Sequence, residues 1–220
     1  MSAATETAYQ IIRKKLIAGE YDAGAHLNEV ELSDLCNVSR TPIREAIRRL
    51  AGEYFVKIEP NRGAFVVDWT RGDVGDHFEL RAMFEGFAAR KAAHRATKAQ
   101  INDLAEVHRE IDEVLKKGGS KRTDDFISLN RRFHDLMCEA SGNARMFDIN
   151  GRFVEQAVII RTAAQYTKAD LERSNRFHVE ITDAIRSRNA ELADQLMRTH
   201  ILSASALYRD CYLQERGTQM

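Results

Sequence analysis

A chain of 220 residues with 33 Lys plus Arg against 33 Asp plus Glu carries no formal net charge. That excludes a polycation or an acidic tail acting through bulk charge, so any nucleic-acid contact has to come from a local patch. With 44% hydrophobic and 30% charged residues the chain can bury a core, and it shows no apolar run near the roughly 18 residues that span a bilayer. The first residues lack the apolar core of a signal peptide. The three cysteines, Cys36, Cys138 and Cys211, have no CxxC spacing. A reducing cytoplasm is therefore the expected compartment.

Residues 1–68 read as short elements. Ala8, Ile11, Ile12 and Leu16 share one face of a first helix that Gly19 ends. Val30, Leu32 and Leu35 mark a second short helix closing near Asn37. Ser39 is placed to cap a third, with Pro42 in its first turn and its end near Gly52. Phe55–Ile58 and Ala64–Val67 flank the turn Glu59-Pro60-Asn61-Arg62-Gly63 and predict a β-hairpin. Two helices joined by a tight turn and followed by a hairpin predict a winged helix-turn-helix; a generic small α+β domain fits the same elements.

Residues 69–220 are helical in period almost throughout, and predict an antiparallel bundle of about six helices. Thr70 opens one through Val74, Phe78, Leu80, Met83, Phe84, Phe87 and Ala88. Thr97-x-x-Gln100 is a capping box for the next, which stops at Gly118-Gly119. Further helices are expected from Thr123 to Ala140, over 144–166, from Lys168 to Arg188 and from Asn189 to Leu213. Trp69, the one tryptophan, is expected to pack at the junction of the two domains.

On the third helix, Arg40, Arg44 and Arg48 fall within about 80° of arc at ~100° per residue. Ile43, Ala46, Ile47 and Leu50 occupy the arc from about 240° to 340°, which would pack inward. Arginines on the wet face, with the hydroxyls of Ser39 and Thr41 at the helix start, suit guanine and phosphate contacts. Lys57 and Arg62 on the hairpin add backbone charge. A solvated surface helix gives the same row of arginines.

In the second part Asn130 and His134 lie four apart, so they project from one face. His178 and His200 lie on consecutive helices, each about 16 Å from a break at Asn189 on a 1.5 Å rise, and so stand level on an antiparallel hairpin. One oxygen and three imidazoles form a donor set that Zn²⁺, Ni²⁺ or Mn²⁺ accepts. Three semi-buried histidines in ordinary hydrogen bonds fit the same spacing. No His-Glu-x-x-His and no Glu-x-x-His is present, which leaves a helical metalloenzyme as the weaker alternative. A DNA-binding protein without an effector is a third.

The runs Leu27-Asn28-Glu29, Leu32-Ser33-Asp34-Leu35 and Val38-Ser39-Arg40-Thr41-Pro42-Ile43-Arg44-Glu45-Ala46-Ile47-Arg48-Arg49-Leu50 resemble the winged helix of GntR-type bacterial regulators, and Pro60–Val66 resembles their wing. From Glu79-Leu80-Arg81-Ala82 onward the chain is similar to the all-helical FCD effector domain of the FadR subfamily. The resemblance implies a bacterial repressor that binds a palindromic double-stranded DNA operator as a homodimer and responds to a small carboxylate. It implies DNA contacts at Arg40, Thr41, Arg44, Arg48 and Gly63, metal ligands Asn130, His134, His178 and His200, and effector pairing by Arg81. Zinc is the first expectation for the metal. For Arg81, an ion pair with Glu85 is the alternative. The sequence departs from the family at Tyr54, where glycine is usual, and by Asn130 in place of an aspartate.

Overall fold

The computed structural model describes residues 2–68, 70–146 and 166–217. These fall into two compact units, one reaching Thr70 and the other starting at Arg71. Trp69 and most of the helix expected over 144–166 lie outside the described residues. Among those described, no helix is long and apolar enough to cross a membrane.

The first unit contains helix α1 (Ala3–Ile17), strand β1 (His26–Leu27), helices α2 (Glu29–Cys36) and α3 (Arg40–Gly52), and strands β2 (Val56–Glu59) and β3 (Gly63–Val66). The sheet is antiparallel in the order β1-β3-β2, with Leu27 opposite Ala64 and Lys57 opposite Phe65. β1 escapes a sequence reading because two residues are too short to show alternation, although Leu27 turns inward and His26 outward. Ile12, Leu16, Leu32, Ile43, Leu50 and Phe55 close one core over the three helices and the sheet. Each such burial contributes about 1.5–3 kcal/mol. Tyr9 ties α1 to α3 by donating to Glu53 at 2.8 Å, while the Arg49 guanidinium lies over its ring. Burial and the Glu53 carboxylate push the Tyr9 hydroxyl up to about 12.

Two details of this unit differ from expectation. Val30 and Leu35 are exposed, so α2 is anchored by Leu32 and Cys36 alone. Ser39 does take the N-cap position with extended backbone, but its side chain makes no capping bond.

α3 ends in a left-handed turn at Tyr54 (φ 57°), with Tyr54 N–H donating to Ala51 and Phe55 N–H to Leu50. That is the Schellman pattern, which favours glycine at this position. The aromatic side chain is 53% exposed, so it recovers little by packing. Tyr54→Gly is therefore expected to stabilise the chain by about 1 kcal/mol, read as a rise in the denaturant midpoint. A lower midpoint would show that the ring has a structural task.

The second unit holds α4 (Arg71–Arg95), α5 (Lys98–Lys117), α6 (Arg122–Ala140), α7 (Lys168–Arg186) and α8 (Ala190–Gly217). α4 packs along α8 and against α6 and α7, and α5 packs against α6 and α7. A Cβ at Gly86 would collide with Asp194 and Arg198, so glycine there permits the close approach of α4 and α8. α5 and α7 start with capping boxes at Thr97 and Thr167. The turn between α7 and α8 is made by Arg188 (φ 60°), with Asn189 capping α8 through Leu192 N–H. The Arg188 guanidinium donates to the carbonyls of Ala93 and Ala96 at 3.0 and 2.8 Å. It thereby covers acceptors at the C-terminal end of α4 and fixes the α7–α8 hairpin against it.

α4 is apolar on two sides. Val74, Phe78, Ala82, Ala88, Ala89 and Ala92 face inward, whereas Leu80, Met83 and Phe87 are exposed. A sequence reading merges the two faces into one pattern.

Candidate DNA-reading face and metal centre

On α3 the helical period separates the faces cleanly. Ile43, Ala46, Ile47 and Leu50 are buried, while Ser39, Arg40, Thr41, Arg44 and Arg48 are exposed. Two of the arginines are already oriented by a residue that sequence spacing did not single out. Glu29, in the first turn of α2, accepts from Arg44 Nε at 2.9 Å and from Arg40 Nη2 at 3.1 Å. Partial burial works to raise its carboxyl, yet the two guanidiniums hold it below the usual range. Because Glu29 takes the Nε edge of Arg44, the terminal nitrogens of Arg44 remain available as a fork.

On the wing, Arg62 pairs with Glu59, its guanidinium over the Phe65 ring, and Lys57 reaches Glu59 at 2.8 Å. Gly63 has φ +101°, and a Cβ there would fall 2.6 Å from His26 Nε2. The backbone conformation favours glycine at this position, and a side chain there would have to push the exposed His26 ring aside.

In the helical unit three rings from three helices meet. His134 on α6, His178 on α7 and His200 on α8 are all buried, and one ligand nitrogen from each lies within 4.8 Å of the others. His134 Nε2 and His200 Nε2 are 3.3 Å apart. A tetrahedral ion with bonds of about 2.05 Å to nitrogen has ligand edges of about 3.3–3.4 Å, so this spacing suits an ion. Neither ring nitrogen of His178 has a hydrogen-bond partner. A buried imidazole left so is costly unless a ligand completes it. Burial first, and then the neighbouring imidazoles, push His178 and His200 well below the usual histidine range. Both are therefore neutral, the form that donates a lone pair to a metal. The Phe133 ring stacks on His178 at 4.0 Å and fixes its plane. Asn130 stands one turn before His134 on the same helix, half-buried.

Glu85, read from the sequence only as an ion-pair partner for Arg81, also reaches His134. Its carboxylate, fully buried on α4, accepts from His134 Nδ1 and from Arg81 Nε, the latter at 2.5 Å. Burial alone would raise the Glu85 carboxyl, but Arg81 and His134 hold it down to about 2. Hydrogen bonding at Nδ1 leaves Nε2 of His134 as the lone-pair atom facing His200. Arg81 is 3% exposed, so its pair with Glu85 is a core contact rather than a surface one. Its Nη2 remains buried without a partner. The signal that could have found Glu85 is its helical phase, shared with Phe78, Ala82, Ala88 and Ala89. Cys138 is buried, and desolvation raises its thiol far above the ordinary range, as for a core thiol. The side chain of Cys211 is outside the described residues. A surface cleft of about 280 Å³ lined by Asp112, Lys116, Lys168, Glu172 and Asn175 shares no residue with the histidine cluster.

Residues 4–66 match the family of bacterial regulatory proteins called the gntR family, and residues 76–203 match the FCD domain. The chain is 27% identical to the HTH-type transcriptional repressor RspR of Escherichia coli, over 91% of this chain and 87% of that one. It is 32% identical to the HTH-type transcriptional repressor NanR of Citrobacter rodentium, over 92% and 83%. Among solved structures its fold is similar to E. coli McbR/YncC, with a TM-score of 0.75 at 18% identity, covering 96% of this chain and 100% of that one. These sequence relatives are transcription regulators and not enzymes, which removes the metalloenzyme alternative. The recognition helix, the wing and the helical unit with its ring of histidines are thus the parts of a bacterial regulatory protein of the gntR family carrying an FCD domain, and the chain belongs to that family.

Proposed function

We propose that this protein is a cytoplasmic transcription repressor that binds a palindromic DNA operator as a homodimer, with its DNA affinity set by a small carboxylate held at a metal centre. Residues 1–68 read DNA through Ser39, Arg40, Thr41, Arg44 and Arg48, with Arg62 and Gly63 at the wing against the phosphates. Residues 69–220 form the sensor and the dimer contact. The observation that carries the reading is His178, buried with both ring nitrogens unsatisfied beside His134 and His200. The repressor names of RspR and NanR support the sign.

His134, His178 and His200, with Asn130 as oxygen donor, hold a divalent metal, zinc first and nickel or manganese otherwise. Once bound, such an ion supplies a Lewis-acidic position for a carboxylate oxygen. Arg81 offers its unpartnered Nη2 to the same anion, with its Nε edge fixed by Glu85. The carboxylate favours one arrangement of the two winged helices, and the fit to the two half-sites changes with it.

Native mass spectrometry of the full chain, before and after EDTA, tests this. A dimer carrying one EDTA-removable divalent ion per subunit is expected. A chain that takes no ion when zinc is supplied overturns the metal centre. The donor set as it stands offers three imidazoles and an amide, with no carboxylate among them. Asn130→Asp adds a carboxylate and is expected to tighten zinc by roughly tenfold, a gain of only about 1.4 kcal/mol. Unchanged affinity would remove Asn130 from the ligand set.

A further inference from the structure

A second place in the helical unit has a buried polar atom left over. The cleft of about 280 Å³ lies between α5 and α7 and shares no residue with the histidine cluster. Drug-sized ligands fill about 300–1,000 Å³, so this volume suits a metabolite of roughly ten non-hydrogen atoms. Asn175 lies in its wall and is 2% exposed. Leu171, one turn earlier, is fully buried on the same face of α7, where an aliphatic side chain would also pack at 175.

The Asn175 amide has one orientation. Its Nδ2 donates to the His108 carbonyl at 2.9 Å and to Asp112 Oδ1 at 2.7 Å. Exchanging its oxygen and nitrogen would set acceptor against acceptor twice. The amide oxygen is thereby held as a buried acceptor, and it has no hydrogen-bond partner. Buried acceptors in folded proteins are met by a donor, and no described side chain supplies one here.

The charges lining the cleft say what that donor belongs to. Glu172 and Lys168 pair with each other at 3.6 Å. Asp112 takes the Asn175 amide with one oxygen and keeps the other for a further donor. Lys116 and Arg176 are exposed cations of the same lining. The cleft thus offers two acceptors, the Asn175 oxygen and the Asp112 carboxylate, and two cations outside the Glu172–Lys168 pair. A sugar would leave both cations unused. A plain dicarboxylate would leave the buried oxygen without its donor. An ammonium carried on a molecule with two carboxylates answers all four groups.

We infer that the cleft between α5 and α7 is a second small-molecule site that takes an acidic α-amino acid. The ammonium donates to Asn175 Oδ1 and Asp112, and the carboxylates pair with Lys116 and Arg176. The site goes beyond the metal-held carboxylate proposed above and needs no ion. The two sites share α7, on which Asn175 stands one turn before His178.

Isothermal titration calorimetry of the full chain with L-glutamate tests it, as purified and again in EDTA. A dissociation constant below about 1 mM is expected in both buffers. Glutarate has the two carboxylates without the ammonium, and is expected to bind about tenfold more weakly. Asn175→Leu removes the acceptor and weakens glutamate on the order of 10–100-fold. Its melting temperature stays at or above that of wild type, because the unsatisfied oxygen goes with the amide. Arg176→Ala, at an exposed position that leaves the core alone, weakens glutamate about three- to fivefold at low salt. No heat with glutamate up to about 10 mM overturns the site, and an ordered water then satisfies the oxygen. Glutarate binding as tightly as glutamate overturns the ammonium assignment. Glutamate heat that EDTA abolishes, or that Asn175→Leu and Arg176→Ala leave intact, puts the ligand elsewhere and overturns the cleft.

Discussion

Glu85→Gln lowers the stability of the metal-free protein by about 3–5 kcal/mol, and weakens zinc binding by about 10–100-fold. The first effect follows from what the substitution leaves behind. Arg81 and Glu85 are 3% and 0% exposed, and the amide of glutamine supplies an acceptor but no charge. The guanidinium then stays buried with no counter-ion, which is the expensive half of a broken buried pair. At about 2–4 °C per kcal/mol for a domain of this size, the melting temperature falls by roughly 10 °C. Arg81→Met in the same chain removes the orphaned charge and recovers most of the loss, though not the affinity for a carboxylate. The second effect follows from His134, whose ring is oriented by Glu85 through Nδ1. Calorimetric melting and competitive zinc titration read the two separately. A Glu85→Gln protein that melts and binds zinc like wild type would show that the pair is not the buried network described.

Arg44→Ala costs about 1–3 kcal/mol of binding to the cognate operator, the range for a lost bidentate contact to guanine. On the proposal that the terminal fork of Arg44 reads a base edge, the loss is confined to specific sites; Glu29 already holds the other edge of the guanidinium. Arg62→Ala, by contrast, weakens every duplex alike and reduces the salt dependence by about one phosphate contact. Fluorescence anisotropy with operator and scrambled duplexes across a salt series separates the two outcomes. If both variants bind the operator as wild type does, the reading face lies elsewhere. Glu29→Gln refines the point: releasing Arg40 and Arg44 raises affinity for scrambled DNA relative to the operator.

The recognition helix was legible because 3.6 residues per turn parts Arg40, Arg44 and Arg48 from Ile43, Ala46, Ile47 and Leu50. The level placement of His178 and His200 was legible because both count equally from one break, although the turn itself is made by Arg188 in a left-handed conformation. Glu85 and Glu29 were not, since nothing in their own neighbourhoods says which helix each will meet. Glu85 reaches a ring 49 positions away, and its spacing from Arg81 is equally that of a surface ion pair. The second apolar face of α4 was hidden for a related reason: Leu80, Met83 and Phe87 add to the inward pattern when helix neighbours are unknown. The capping box at Thr97 could be read at once because its partner lies only three residues away, whereas the one at Thr167, closed by Asp170 rather than Glu or Gln, was passed over.

The three imidazoles come from α6, α7 and α8, and no two of them are neighbours in the chain. An unfolded molecule therefore offers no assembled site, and binding there is linked to folding. Each tenfold rise in free ion above the dissociation constant shifts the folding equilibrium by about 1.4 kcal/mol. On the metal reading proposed above, metal supply would also set how long the protein survives proteolysis, because scarcity would enlarge the unfolded fraction.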